Sequence, residues 1–188
     1  MAAAVATPKM TAEDRVNARR VPDVQPLENV DKFVEQIGNY SEASAQIENQ
    51  YKTMKYMQAN LMNTRERIVE SLPDLKNNLK ILRTLNKKKE NETPFTTSFM
   101  LADQVYTKAE VKKVENVSLW LGAGVMAEFP ISEAMEFMQT KVDEMSNKAT
   151  ELGEDLEVIK KRLTTLEVNM ANMYNYGVRK RKAQTASK

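Results

Sequence analysis

The side chains here that could do chemistry are carboxylates, amines, guanidiniums, methionines and tyrosines; the 188 residues include no cysteine and no histidine. Those two absences together remove thiol nucleophiles, disulfides, Cys/His zinc sites and histidine general bases. The carboxylates alternate with Lys and Arg at helical spacing, the pattern of a solvated helix face rather than of a paired acid–base centre. Gly122-Ala123-Gly124 lies between two apolar runs, with no helix after it to present its amides to a phosphate. Lys87-Lys88-Lys89 suits a helix C-terminus. The run Arg179 to Lys182 is short, and a net charge of +2 points to no specific nucleic-acid partner. No catalytic residue, cofactor or metal ligand follows, and no enzyme is expected.

The methionines carry more information. Of the twelve in the chain, Met54, Met57, Met62, Met170 and Met173 fall in two stretches that also hold Tyr51, Tyr56, Tyr174 and Tyr176. Met is flexible and polarizable, and surfaces that accept many shapes favour it. Met54, Met170 and Met173 have a second use as fillers of a helix seam, whereas Met57 and Met62 lie off that seam.

Two long helices must position these groups. Alternate steps of four and three from Ile47 give Tyr51, Met54, Gln58, Leu61, Arg65, Ile68, Leu72, Leu75, Leu79, Leu82 and Asn86, a heptad seam with three polar interruptions. Ser41 offers a polar start. Pro73 lies inside this segment, and the unbroken phase of the seam predicts one continuous, kinked helix. The same stepping from Ile131 gives Met135, Met138, Val142, Met145, Ala149, Leu152, Leu156, Ile159, Leu163, Leu166, Met170 and Met173, every one apolar. Ser132, Glu133 and Glu136 mark its start, and Gly177 before the basic run marks its stop. Segments of 45–50 residues would each be roughly 70 Å long. Folded back on each other they form an antiparallel coiled-coil hairpin, with Met54 near Leu166, Tyr51 near Met170, and Arg65 facing Asp155 and Glu157.

Between the helices the period changes to two. Thr97, Phe99 and Leu101 alternate with polar residues, as do Val105, Thr107, Ala109 and Val111, then Val117, Leu119 and Leu121, then Val125, Ala127 and Phe129. These are four short strands, paired as two hairpins with breaks near Asp103 and at Gly122-Ala123-Gly124. Four strands of about six residues are too few to close a barrel, and Trp120 would sit on a sheet with open edges. A thin coiled coil leaving the sheet would not cover it. Other chains are therefore expected to supply the missing strands.

The segment 1–30, with Pro8, Pro22 and Pro26 and no period, is expected to be a disordered tail; 178–188 is expected to be a second, basic one. Between them, 31–182 forms one domain: a helical arm at 31–90, the two β-hairpins at 91–130 and a second arm at 131–177. No run approaches the ~20 apolar residues of a membrane span. The first six residues lack the basic region and length of a signal peptide, so a cytoplasmic location is expected.

Helix, four strands and helix, with strands in need of outside partners, resembles the alpha class of prefoldin subunits; the beta class typically has one hairpin. The likeness extends to Phe99-Met100-Leu101-Ala102-Asp103-Gln104-Val105-Tyr106-Thr107-Lys108-Ala109, to Val117 through Met126, to Gln50 through Met57, and to Thr165 through Asn175. It implies a heterohexamer with one further alpha-class and four beta-class subunits, whose strands complete an intersubunit β-barrel carrying six coiled-coil arms. It also implies ATP-independent capture of unfolded actin and tubulin chains and their delivery to the cytosolic chaperonin. By position, the assembly surface would be Phe99, Leu101, Val105, Val111, Val117, Leu119, Trp120, Leu121, Val125 and Phe129. The client or chaperonin contact at the arm tip would be Tyr51, Met54, Met57, Leu61, Leu166, Met170, Met173 and Tyr174. A structural coiled-coil tether or scaffold is the rival reading, and it leaves the strands without a purpose.

Overall fold

The computed structural model describes residues 10–19 and 21–186; expectations for 1–9, 20 and 187–188 lie outside the described residues. The fold is mainly helical. Two short helices, α1 (Ala12–Ala18) and α2 (Val30–Ile37), precede the long α3 (Tyr40–Glu90). Strands β1 (Phe95–Ala102), β2 (Val105–Val111), β3 (Asn116–Gly122) and β4 (Val125–Pro130) follow, and the long α4 (Ile131–Ala186) closes the chain. By packing it divides into two units. One joins the residues up to Glu66 with those from Ala149 onward, and the other is Arg67–Lys148.

The heptad stepping finds the buried stripes. Along α4 every seam position from Ile131 to Met173 is buried or half-buried, and along α3 only Arg65 of the twelve is exposed. In the first unit Met54, Leu152, Ile159, Leu166 and Met173 are almost wholly removed from water, each worth about 1.5–3 kcal/mol of apolar burial. The helices run antiparallel there. The Tyr51 hydroxyl donates to Glu167 Oε1 at 3.2 Å, three residues short of the Met170 expected opposite it. The Tyr40 and Tyr176 rings lie 6.0 Å apart. In the second unit Leu79, Leu82, Ala134 and Met138 form a core that Leu75, Met135, Val117, Leu119 and Phe129 pack against. Helix α3 passes through Pro73 without interruption.

Helix α3 starts one residue before Ser41. Asn39 caps it, its side-chain Oδ1 accepting the Ser41 amide at 3.2 Å and its carbonyl accepting the Ala43 amide. Just upstream, Gly38 closes α2 by donating to the Val34 carbonyl.

Residues 10–30 correct the expected tail. A capping box between Thr11 and Asp14 starts α1, and Val16 is completely buried. Arg15 Nε and Arg19 Nη2 donate to the two oxygens of the fully buried Asp155, at 2.8 and 3.1 Å. Arg15 also reaches Glu154 at 2.8 Å. The Glu154 carboxylate, and after it Asp155, hold the Arg15 guanidinium above its ordinary pKa against the opposing effect of burial. The Arg65–Asp155 pairing expected from the folded-back register is therefore absent: Arg65 Nε donates to the Ala149 carbonyl at 3.4 Å. Beyond Arg19, Arg162 Nη2 donates to Asn17 Oδ1 at 2.7 Å, and Asn169 bonds the backbone of Gln25 and Leu27. Asp155, Arg162 and Asn169 are all buried. They are spaced by seven residues, so they form a polar stripe beside the apolar seam and hold the N-terminal segment on α4.

The C-terminal expectation is corrected too. Helix α4 continues through Gly177 and the basic run to Ala186. Gly177 does not end the helix; it admits a neighbour. A Cβ placed there would fall on the Tyr40 hydroxyl and the adjacent ring carbon, so only Gly leaves room for the ring.

This close approach sets the sign of a mutation. Gly→Ala in a helix interior ordinarily stabilises by about 1 kcal/mol, whereas overpacking costs typically 1–3 kcal/mol. Gly177→Ala should lower the thermal midpoint of the chain, and the same change in a Tyr40→Ala background should raise it, as read by circular dichroism. Stabilisation in both backgrounds would show that the ring moves aside freely.

Candidate assembly and binding surfaces

The hairpins are built on one plan. In the first, Phe95 pairs with Val111, Phe99 with Thr107 and Met100 with Tyr106, and a bulge precedes the Ala102–Val105 pair. In the second, Leu119 pairs with Ala127 and Trp120 with Met126, and a bulge precedes the Gly122–Val125 pair. Adding twenty to each residue number of the first turn region gives the second, so Phe99 to Tyr106 and Leu119 to Met126 share their pairing and their bulge. The turns need positive φ, which Gln104 adopts at 60° in the first. Gly122, Ala123 and Gly124 adopt it at 95°, 50° and 78° in the second. Each hairpin is its own two-stranded sheet, so each strand has one edge without a backbone partner strand among the described residues.

The apolar side chains around these edges are open to solvent. Met100 and Tyr106, opposite each other, are 60% and 66% exposed, and Trp120 and Met126 are 65% and 59% exposed. Phe99, Leu101, Val105, Leu121 and Val125 are exposed as well. Of the residues assigned to assembly by position, Phe99, Leu101, Val105, Trp120, Leu121 and Val125 thus lie on a free surface, and Val111 is half-buried. Val117, Leu119 and Phe129 do not. They face the Leu79–Met138 core, and the Phe129 ring stacks 6.0 Å from Phe137. The expectation that the helices leave the sheet uncovered fails for this face, because the ends of α3 and α4 flank the second hairpin and shield its inner side. Met100, Tyr106 and Met126 were missed by alternation, which places them on the polar side of their strands; the twenty-residue repeat was the available signal.

In the other unit the Met/Tyr group separates by burial. Met54, Leu61, Leu166 and Met173 fill the seam and are buried. Tyr51, Met57 and Met170 are half-buried, and Tyr174 is exposed. Tyr56 and Met62 are exposed beside them. Met170, Met173 and Tyr174 also border a small cleft with Tyr40, Ser44, Ile47 and Glu48. The heptad arithmetic thus separates core from surface for this group, and the exposed members are the off-seam ones.

Among the described residues no cluster of acidic side chains could hold a metal ion, and no helix is long and apolar enough to cross a membrane. The ionic contact beside the hairpins is a surface one. Lys113 and Glu115, both exposed, pair directly, raising the lysine pKa and lowering that of the glutamate.

Comparison with known proteins matches residues 54–176 to the Prefoldin family model, described as prefoldin subunit. Prefoldin subunit 3 of Mus musculus is 36% identical over 178 residues, covering 92% of this chain and 91% of its own. Prefoldin subunit 3 of Saccharomyces cerevisiae is 33% identical over 174 residues, covering 88% and 87%. A filamentous PFD of Methanocaldococcus jannaschii, solved by cryo-EM, has a TM-score of 0.41 at 17% identity, covering 77% of this chain and 99% of its own.

Because the sequence has a single Trp, its fluorescence reports the second hairpin alone. Trp120 in the isolated chain should emit at the red end of the indole range and be strongly quenched by acrylamide. A blue-shifted, unquenched emission would contradict the open edge.

Proposed function

The chain belongs to the prefoldin subunit family, whose members are co-chaperone subunits, and we propose that it takes an alpha-class place in a cytoplasmic heterohexamer. In this reading its two hairpins join those of one further alpha-class and four beta-class subunits in an intersubunit β-barrel. The observation that carries the reading is the pair of open, apolar hairpin edges. A two-stranded hairpin is marginal by itself, and an exposed apolar edge is a template for association. Completing the sheet with neighbouring chains satisfies those edges and couples folding of the hairpins to assembly.

Capture of clients then falls to the other unit. Met57, Met170 and Tyr174, with Tyr51 and the exposed Tyr56 and Met62, offer adaptable, mostly apolar contact to unfolded polypeptides of the actin and tubulin class. Met54, Leu61, Leu166 and Met173 contribute as the packed floor under that surface. One such patch binds weakly, and several arms on one platform hold a client by avidity. Weak individual contacts allow release to the cytosolic chaperonin without ATP. No catalytic step is part of the proposal.

The test begins with mass. By light scattering, the chain mixed with one further alpha-class and several beta-class subunits should form a discrete hexamer that suppresses client aggregation in the absence of nucleotide. The double variant Trp120→Glu, Met126→Glu should keep its helical circular dichroism and lose hexamer formation, since both side chains project into solvent in the isolated chain. A hexamer of undiminished stability from this variant would remove the edge reading.

A further inference from the structure

The hydrogen bonds that hold residues 21–27 on α4 go to the backbone of that segment. Arg162 Nη1 donates to the carbonyls of Val21 and Pro22, both at 3.3 Å. Asn169 Nδ2 donates to the Gln25 carbonyl at 3.0 Å, and its Oδ1 accepts the Leu27 amide at 2.9 Å. Arg162 and Asn169 are 8% and 3% exposed. One amide side chain that gives a proton to a carbonyl and takes one from the amide two residues on imitates the edge of a strand, which reads main chain and not sequence. The side chains along 21–27 add apolar burial and one ion pair. Val21 is buried, Leu27 is half-buried, and Asp23 lies 3.7 Å from Arg162.

From this geometry we infer that the α4 face bearing Arg162 and Asn169 is a binding site for an extended, non-native polypeptide recognised by its backbone. Residues 21–27 are its internal occupant. The inference rests on the client-capture reading and adds to it a second site, polar where the Met/Tyr surface is apolar. Two features fit an occupant that leaves. The stripe Asp155, Arg162 and Asn169 is made of groups that water can satisfy when the segment lifts off, whereas an apolar stripe would resist exposure. Release also returns Arg15, Arg19 and Asp155 to water together, so no charge is left buried without a partner, the situation that makes breaking a buried pair costly. Pro22 and Pro26 favour the extended backbone and so preorganise the occupant. Beside Pro22 the bound segment borders a shallow cleft along α3 lined by Glu42, Ala45, Gln46, Asn49, Gln50 and Thr53.

The test uses the assembled hexamer and a permanently unfolded probe, reduced and carboxymethylated lactalbumin, with binding read by anisotropy. Removing residues 1–29 of this chain should tighten probe binding by on the order of tenfold, the factor recovered when a site open in about a tenth of molecules becomes open in all. Asp155→Asn, which keeps the segment but weakens its ion pairs, should tighten binding by less. Asn169→Ala in the truncated chain should reverse the gain, and a synthetic peptide of residues 10–29 should compete with the probe. Hexamers in which both the truncation and Asp155→Asn leave affinity unchanged or weaker would overturn the inference while leaving client capture intact. If the truncated chain does not assemble, Asp155→Asn decides alone. Absence of probe binding by every hexamer, including the unaltered one, would overturn the capture reading and this inference with it.

Discussion

A two-stranded hairpin pairs one edge of each strand and leaves the other edge bare, and in this chain both hairpins do so among exposed apolar side chains. The seam between α3 and α4 has no such deficit, because each long helix closes its own backbone hydrogen bonds and buries its stripe against the other. The molecule therefore joins an element that is complete to one that is not. Apolar residues near the hairpin turns stay in water because nothing among the described residues covers them, while the inner face of the second hairpin is served by the flanking helix ends. The division of Leu119 from its neighbour Trp120 follows from that geometry: one side chain meets its own core, the next points away from it.

Much of this architecture is written in periodicity. Steps of four and three locate the buried stripe of α4 from Ile131 to Met173 without an exposed member, and α3 departs from it only at Arg65. Alternation and turn chemistry locate four strands and both turns. What periodicity does not convey is which face of a strand is covered, since that depends on where the helices leave the sheet. Val117 and Phe129 look like Phe99 and Val125 in sequence, and only their tertiary surroundings separate them. The same limit applies to the methionines: Met54 and Met57 are three residues apart, and the seam takes one and leaves the other half in solvent.

The N-terminal segment was illegible for a different reason. It has no aromatic residue, its apolar side chains follow no period, and two prolines lie between α1 and α2, so no periodic stripe marks it for packing. Its order comes from the far end of the chain, through Asp155, Arg162 and Asn169. These three also sit seven residues apart, but a search for apolar heptads passes over them. Read as charges on a helix face, Asp155 and Arg162 look like ordinary solvated groups, and their burial becomes visible only once Arg15, Arg19 and the backbone of 21–27 lie against them. The end of α4 shows the converse error. Gly177 followed by a basic run has every local mark of a helix stop, yet the helix goes on, because the missing side chain serves the Tyr40 ring and not a change of backbone direction.

The twenty-residue repeat gives the chain a valence. Phe99 to Tyr106 and Leu119 to Met126 present the same pairing and the same bulge. Phe99 is exposed where its counterpart Leu119 packs on the helices, so the two copies share a register and differ in their surroundings. A single two-stranded hairpin has two outer edges, so one such hairpin offers two bare edges and the pair in this chain offers four among the described residues. If either hairpin were blunted, two of those four edges would remain, so the loss would halve the number of bare edges without abolishing them.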